Sequence, residues 1–124
     1  MATTQTLEAR SLDAPDETRT FTEGKGRVDI VTVGGIQLGR GIFEPGWRWS
    51  TNVKPLAGTE SCQAEHTGYV ISGRMVVRMD DGSEHEYRAG EAFHMPPGHD
   101  AWIPGDEPCV LIDVTGMDRY AKPS

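Results

Sequence analysis

The sequence predicts an all-β domain, and three features of the chain support that prediction. Runs of β-branched and aromatic residues are short, turn signals interrupt them about every 8–12 residues, and almost no segment shows the period of a helix. The 15 glycines and eight prolines are spread along the 124 residues, as expected for many short elements joined by turns. Roughly seven to nine short strands of this kind are typical of a β-sandwich or a small barrel.

The predicted strands begin after residue 27 and are separated by glycine, proline and aspartate. Two turns are strongly indicated, because Gly34–Gly35 and Asp81–Gly82 both suit the left-handed backbone of a tight hairpin. The predicted strands are rich in Val, Ile, Tyr, Phe or Met, and they cover residues 28–33, 36–43, 68–79 with a break at Ser72–Gly73, 84–87, 92–95, a short stretch around Trp102, and 109–114.

The N-terminal segment differs in composition from the rest of the chain. Residues 1–20 carry Ala, Thr, Ser, Asp and Glu with little apolar periodicity, and only Thr6–Arg10 resembles a helical turn. We therefore predict a flexible N-terminal arm over residues 1–20 and one β-barrel domain over residues 21–124. Such an arm can become ordered by pairing with another strand.

The charge balance argues against several functional classes. Nineteen acidic and 12 basic residues give a net charge of −7, whereas a nucleic-acid-binding protein needs a basic surface. The same acidity disfavours binding to anionic lipid. No apolar run approaches the roughly 20 residues of a membrane span, and the N-terminus lacks the features of a signal peptide. We expect a cytoplasmic protein whose partners include neither nucleic acid nor a membrane, with both cysteines as free thiols.

Glu60, Cys62 and His66 place three potential metal ligands within seven residues. On one straight strand Cys62 and His66 would lie about 13 Å apart, but metal–ligand bonds are only about 2.0–2.3 Å long. The three can share an ion only if the chain turns at residues 63–65 and His66 lies on the next strand. Structural alternatives are a buried apolar Cys62, a hydrogen-bonded core His66 and a solvated Glu60. A nucleophilic Cys62–His66 pair is a further alternative.

The turns of the C-terminal half resemble the second sequence motif of the cupin family. Gly90, Pro96 and Gly98 match its pattern of glycine, five residues, proline, one residue and glycine. Gly73 matches the last glycine of the first motif, and 16 residues separate it from Gly90. The resemblance covers roughly residues 40–115. It implies a jelly-roll β-barrel whose open mouth holds a metal or a small molecule, and it implies a homodimer.

The same resemblance assigns positions to the candidate ligands. Glu60 and Cys62 fall where the family has two histidines, His66 falls where it has a glutamate, and the last histidine position is Ala101. A carboxylate, a thiolate and an imidazole favour zinc or iron as the divalent metal. Three protein ligands leave one position open for water or substrate. His99 is predicted either as a fourth ligand or as a catalytic acid or base, with a purely structural role in its turn as the alternative.

Four aromatic residues are predicted to line the pocket, because aromatic side chains supply much of the apolar wall of a small site. Core packing or a dimer contact is the alternative for all of them. They are Trp47, Trp49, Tyr69 and Trp102.

The sequence thus predicts a cupin-like barrel that binds a small molecule in its mouth through a divalent metal. Whether it is an enzyme is left open, because the fold does not decide the reaction. A non-catalytic binding or sensing module without metal is one alternative, and an interaction domain that works as a dimer is another.

Overall fold

The computed structural model describes residues 6–115 and residue 117, and these residues form two antiparallel β-sheets. The larger sheet has the strand order β1-β2-β3-β9-β4-β7, and the smaller one has the order β6-β5-β8. The predicted all-β class is therefore confirmed. The nine strands in the described part are β1 (Glu17–Thr20), β2 (Gly26–Val33), β3 (Ile36–Phe43), β4 (His66–Ser72), β5 (Arg74–Met79), β6 (Glu84–Arg88), β7 (Ala92–Met95), β8 (His99–Trp102) and β9 (Cys109–Asp113).

Glycines allow the tight turns between these strands. Gly34 and Gly35 have φ values of 58° and 77°, which the β2–β3 hairpin requires. Gly73 separates β4 from β5 with a φ of 77°. A Cβ atom at Gly73 would lie 2.2 Å from the carbonyl oxygen of Pro108, so no larger residue fits there without movement of the backbone. The turn signals read from the sequence therefore correspond to real steric requirements.

Residues 12–20 of the predicted arm contact the rest of the chain. Glu17–Thr20 pairs with β2 of the same chain as strand β1. Arg40 holds the preceding residues, because its guanidinium donates to the carbonyl oxygen of Leu12 and to the carboxylate of Asp13. The first five residues of the predicted arm lie outside the described residues.

Two helices of one turn each connect β3 to β4, namely α1 (Trp49–Asn52) and α2 (Lys54–Ala57). The sequence did not indicate them, because four residues are too few to show a helical period. Thr6–Arg10 forms no helix. None of the helices in residues 6–115 has the length and apolar character needed to cross a membrane.

The core lies between the two sheets. Phe21, Phe43 and Trp47 form an aromatic cluster with ring centroids 4.6–5.5 Å apart. Strand β9 alternates between buried and half-buried residues, so that Cys109, Leu111 and Asp113 point inward. Cys109 is therefore fully buried, and Asp113 places a carboxyl group in the interior.

Candidate metal centre

The chain bends sharply after Cys62, as the sequence required for its ligands to converge. Cys62 forms a short bridge to β8, in which its N–H donates to the carbonyl oxygen of His99 over 2.7 Å. The carbonyl oxygen of Cys62 in turn accepts from the N–H of Gly98 over 2.7 Å. Residues 63–65 have no regular structure, and His66 begins strand β4. The turn between Cys62 and His66 is confirmed.

Cys62, His66 and His99 form a buried cluster. One ligand atom from each lies within 4.8 Å of the other two, and the residues are only 3–5% exposed. The Sγ atom of Cys62 is 3.6 Å from Nε2 of His66. Tetrahedral zinc with ordinary bond lengths separates a sulfur and a nitrogen ligand by about 3.5 Å. The spacing of these two atoms therefore suits a shared metal ion as well as a hydrogen bond.

Hydrogen bonds orient both imidazole rings toward the cluster. Nδ1 of His99 is 2.7 Å from the carbonyl oxygen of Pro96, and Nδ1 of His66 is 2.5 Å from Oδ2 of Asp113. Carbonyl and carboxylate oxygens accept hydrogen bonds, so the proton of each neutral ring is on Nδ1. Nε2 is then the nitrogen that can bind a metal. This arrangement, in which the second ring nitrogen donates to an oxygen, is usual for metal-binding histidines.

Asp113 is a site residue that the sequence analysis missed. Its side chain is buried, and Oδ1 accepts from the backbone N–H of Thr115 over 3.0 Å while Oδ2 contacts His66. The Thr115 hydroxyl accepts from the N–H of Thr67 over 2.8 Å, which ties the end of β9 to β4. A signal was present in the sequence: Asp113 has the same strand parity as Cys109 and must point inward with it.

The electrostatics of the cluster favour an ion pair. Burial by itself raises the pKa of the Cys62 thiol, but hydrogen bonds with His66 and His99 and the positive charge of those rings lower it to about 6. Burial likewise lowers the pKa of His66, but hydrogen bonds with Asp113 and Cys62 and their negative charges raise it to about 9. Both shifts favour a Cys62 thiolate beside a protonated His66 when no metal is bound.

An apolar cavity adjoins the cluster. The volume of the cavity that the centre of a water molecule can occupy is about 30 Å³. Its wall includes His66, His99 and Asp113. Such a volume holds about two water molecules or a ligand of a few non-hydrogen atoms. Trp47 and Trp49 both lie on its wall, and each is only 2% exposed.

The other two aromatic residues predicted for the pocket lie elsewhere, so both assignments are corrected. Tyr69 is 49% exposed, because its position in β4 points it away from the core. Trp102 is absent from the cavity wall, and its ring packs under the guanidinium of Arg48 at 4.5 Å.

Comparison with known proteins identifies the family. A family model described as a cupin domain matches residues 57–115, a range that contains the ligand cluster and the Gly90–Gly98 turn. A solved RmlC-like cupin from Shewanella frigidimarina is 21% identical, with a TM-score of 0.53 over 78% of this chain and 79% of that one. Residues 57–115 of the chain therefore match a cupin domain.

Further solved structures share this cupin fold. The polyketide cyclase RemF from Streptomyces resistomycificus is 17% identical, with a TM-score of 0.61 over 89% of this chain and 79% of that one. A protein of unknown function from Vibrio parahaemolyticus is also 17% identical, with a TM-score of 0.59 over 79% of this chain and 96% of that one. These likenesses confirm the predicted jelly-roll fold and say nothing of the reaction. A comparison with curated proteins finds no significant match.

Glu60 lies outside the buried cluster of Cys62, His66 and His99, so the predicted ligand set of Glu60, Cys62 and His66 is corrected. Its side chain is 96% exposed and forms an ion pair with Lys54 over 2.9 Å. This hydrogen bond and charge lower the pKa of Glu60. The prediction assumed strand parity from Glu60 to Cys62, but residues 58–60 are an irregular turn after α2. The third donor is His99, two residues before Ala101, at the start of β8.

The donor set of this cupin suits a metal ion. One thiolate and two imidazoles are borderline-soft ligands of the kind that zinc, iron and copper prefer. The rings are already oriented by their outer hydrogen bonds. In a tetrahedral site three protein donors leave one position open. The residues of the cluster therefore fit the metal that the family resemblance implies.

Proposed function

We propose that this cupin holds one divalent metal, zinc or iron, at Cys62, His66 and His99 and binds a small molecule in the adjoining cavity. The observation that supports this most is the convergence of three buried ligand atoms within 4.8 Å. Such a metal, when bound, can polarise a carbonyl group or lower the pKa of a bound water.

The surrounding residues prepare the site for this chemistry. Asp113 fixes a proton on Nδ1 of His66, and the carbonyl oxygen of Pro96 does the same for His99. The apolar wall limits water, so charges in the site act more strongly than in bulk solvent. In this proposal His99 is a ligand rather than an acid or base. The cavity volume restricts the bound molecule to a few non-hydrogen atoms.

A second candidate function follows from the row formed by Cys62, His66 and Asp113. Sγ lies 3.6 Å from one nitrogen of His66, and the carboxylate lies 2.5 Å from the other. In a nucleophilic triad the histidine accepts the thiol proton and the carboxylate stabilises the resulting imidazolium. The metal-free protein would then use Cys62 to attack an electrophilic carbon atom, without metal chemistry.

Elemental analysis of the purified protein, with any affinity tag removed, separates these candidates. We expect close to one zinc or iron per chain, and we expect Cys62→Ala, His66→Ala and His99→Ala each to lose it. Glu60→Ala is the matched control and keeps its metal, because that side chain points into solvent. A wild-type protein that stays metal-free after reconstitution, yet reacts rapidly with iodoacetamide at Cys62, would overturn the metal proposal in favour of the thiol nucleophile.

We also propose a cytoplasmic homodimer, on the acidic composition and the family resemblance. Light scattering behind a size-exclusion column tests the dimer. Removal of residues 1–20 tests whether terminal strands are exchanged between protomers. In the structure β1 pairs within its own chain, and a dimer that survives the deletion would exclude strand exchange as its basis.

A further inference from the structure

Trp47 lies on the wall of the cavity beside the proposed metal centre, and its indole N–H group has no hydrogen-bond partner among the described residues. The indole Nε1 is buried and has no hydrogen-bond partner in the described part of the chain. The backbone of the same residue is fully paired, since its N–H donates to Glu44 and its carbonyl oxygen accepts from Ile103. The ring itself packs against Phe21 and Phe43. Nε1 is thus the one polar atom of Trp47 that lacks a partner.

A buried donor without an acceptor destabilises the folded protein. Within residues 6–115 and 117, the other buried side-chain nitrogen or oxygen atom without a partner is Nε of Arg40. Arg40 is not on the cavity wall, and its other nitrogens bind Asp29 and Asp13. Trp47 therefore combines an orphaned donor with a place at the cavity. A molecule that occupies the cavity and carries an acceptor would supply the missing partner.

The other residues of the cavity wall limit which functional groups the bound molecule can carry. Besides Trp47 and Trp49, which carry indole N–H donors, its polar side chains are His66, His99 and Asp113, and both histidine rings are already hydrogen-bonded through Nδ1. The other side chains of the wall are apolar and offer the proton of a ligand hydroxyl group no nitrogen or oxygen acceptor. A carbonyl oxygen accepts hydrogen bonds and brings no donor of its own. A ligand carbonyl oxygen can therefore accept a hydrogen bond from Nε1 of Trp47 and adds no donor that would lack a partner.

Charge balance favours a neutral compound. A divalent metal at the site is neutralised by the Cys62 thiolate and the buried carboxylate of Asp113. An anionic ligand would then add an uncompensated charge against an apolar wall, which is unfavourable. The volume of about 30 Å³ further limits the ligand to a few non-hydrogen atoms.

We propose that the cavity binds a small neutral carbonyl compound whose oxygen accepts a hydrogen bond from Nε1 of Trp47. This inference rests on the proposed function for the identity of the site and names its ligand class. Trp47 is then a specificity-determining residue, because it distinguishes a molecule with an acceptor from an apolar molecule of the same size.

The test follows the indole N–H resonances of ¹⁵N-labelled protein during titration with acetone, with acetate as the charged comparison. The chain has three tryptophans, so Trp47→Phe and Trp102→Phe assign the signals of the cavity indole and of one outside it. We expect acetone to move the Trp47 signal downfield and to leave that of Trp102 in place. Acetate should bind at least tenfold more weakly to the metal-loaded protein. Trp47→Phe should weaken acetone binding roughly three- to tenfold, whereas Trp102→Phe should not.

The titration is run on metal-loaded and on metal-free protein, so that failure of the ligand class and failure of the metal site are separate results. Trp47→Phe should retain the wild-type metal content, since its ring provides no metal ligand. A Trp47 signal that acetone leaves unmoved in both forms would overturn the carbonyl proposal and leave the metal site intact. If acetate binds as tightly as acetone, the proposal that the ligand is neutral would be overturned. The wild-type spectra decide both points even if Trp47→Phe does not fold.

Discussion

Replacing Asp113 with asparagine should weaken metal binding at the proposed centre while keeping the shape of the site. In the wild-type protein Oδ1 accepts from Thr115 and Oδ2 faces Nδ1 of His66 at 2.5 Å. If the asparagine oxygen keeps the bond to Thr115, its NH₂ group must face His66. Two donors then meet, and His66 avoids this by moving its proton from Nδ1 to Nε2. That proton occupies the nitrogen that has to bind the metal, as happens with the corresponding substitution in catalytic triads.

The size of the effect can be estimated from the lost outer hydrogen bond. Loss of such a partner usually lowers metal affinity by about 10- to 100-fold, which corresponds to about 1.4–2.7 kcal/mol of binding free energy. The shifted proton adds to this cost, so we expect the upper part of that range. Asp113→Ala removes the carboxylate without adding a donor and should cost less than Asp113→Asn.

Competition with a fluorescent zinc chelator measures the zinc affinity of each variant. Glu60→Gln is the matched control, because it removes a carboxylate that is exposed to solvent. Long-range ¹H–¹⁵N NMR of the His66 ring reports whether the proton has moved to Nε2 in Asp113→Asn. Zinc affinity within twofold of wild type in Asp113→Asn, with the proton still on Nδ1, would refute the reasoning about His66.

Two further predictions concern the thiols and the glycine turn. Alkylation of Cys62 in metal-free protein should slow as the pH falls through about 6, because protonation removes the thiolate that its low pKa provides. Mass spectrometry should show Cys109 unmodified, since burial and the charge of Glu107 raise the pKa of Cys109 to about 12. Equal labelling of the two thiols would contradict this difference. Gly73→Ala should lower the free energy of unfolding in urea by about 2 kcal/mol or more, because the new Cβ would meet the backbone of Pro108 and Cys109 at the start of β9. Gly82→Ala has a similar positive φ but open space around it, and should cost clearly less; an equal loss in both would show that the close contact at Gly73 is unimportant.

The features that sequence reasoning predicted correctly were those fixed by local chemistry. Alternating apolar residues and glycine turns located most strands, since tight turns restrict which residues can occupy them. The bend at residues 63–65 followed from a length argument combined with the hypothesis that Cys62 and His66 bind the same ion. A straight strand is too long for Cys62 and His66 to share an ion, and the structure shows the bend.

The features that it missed depend on contacts between distant parts of the chain. Asp113 and His66 are 47 residues apart, and their hydrogen bond exists only because β9 and β4 are neighbours in the sheet. Glu60 was wrongly assigned to the ligand set, because the side-chain alternation of a strand was assumed at residues that form a turn. The order of strands around the core brings His99 beside Cys62, and no pattern within either segment specifies that order.

X-ray absorption at the metal edge of the purified protein tests the central claim most directly, since it reports the atoms bound to the ion. For zinc we expect one sulfur at about 2.3 Å, two imidazole nitrogens at about 2.0–2.1 Å and one light atom from water or ligand. A shell made only of nitrogen and oxygen atoms, or a protein that takes up no metal, would contradict a centre built on Cys62, His66 and His99.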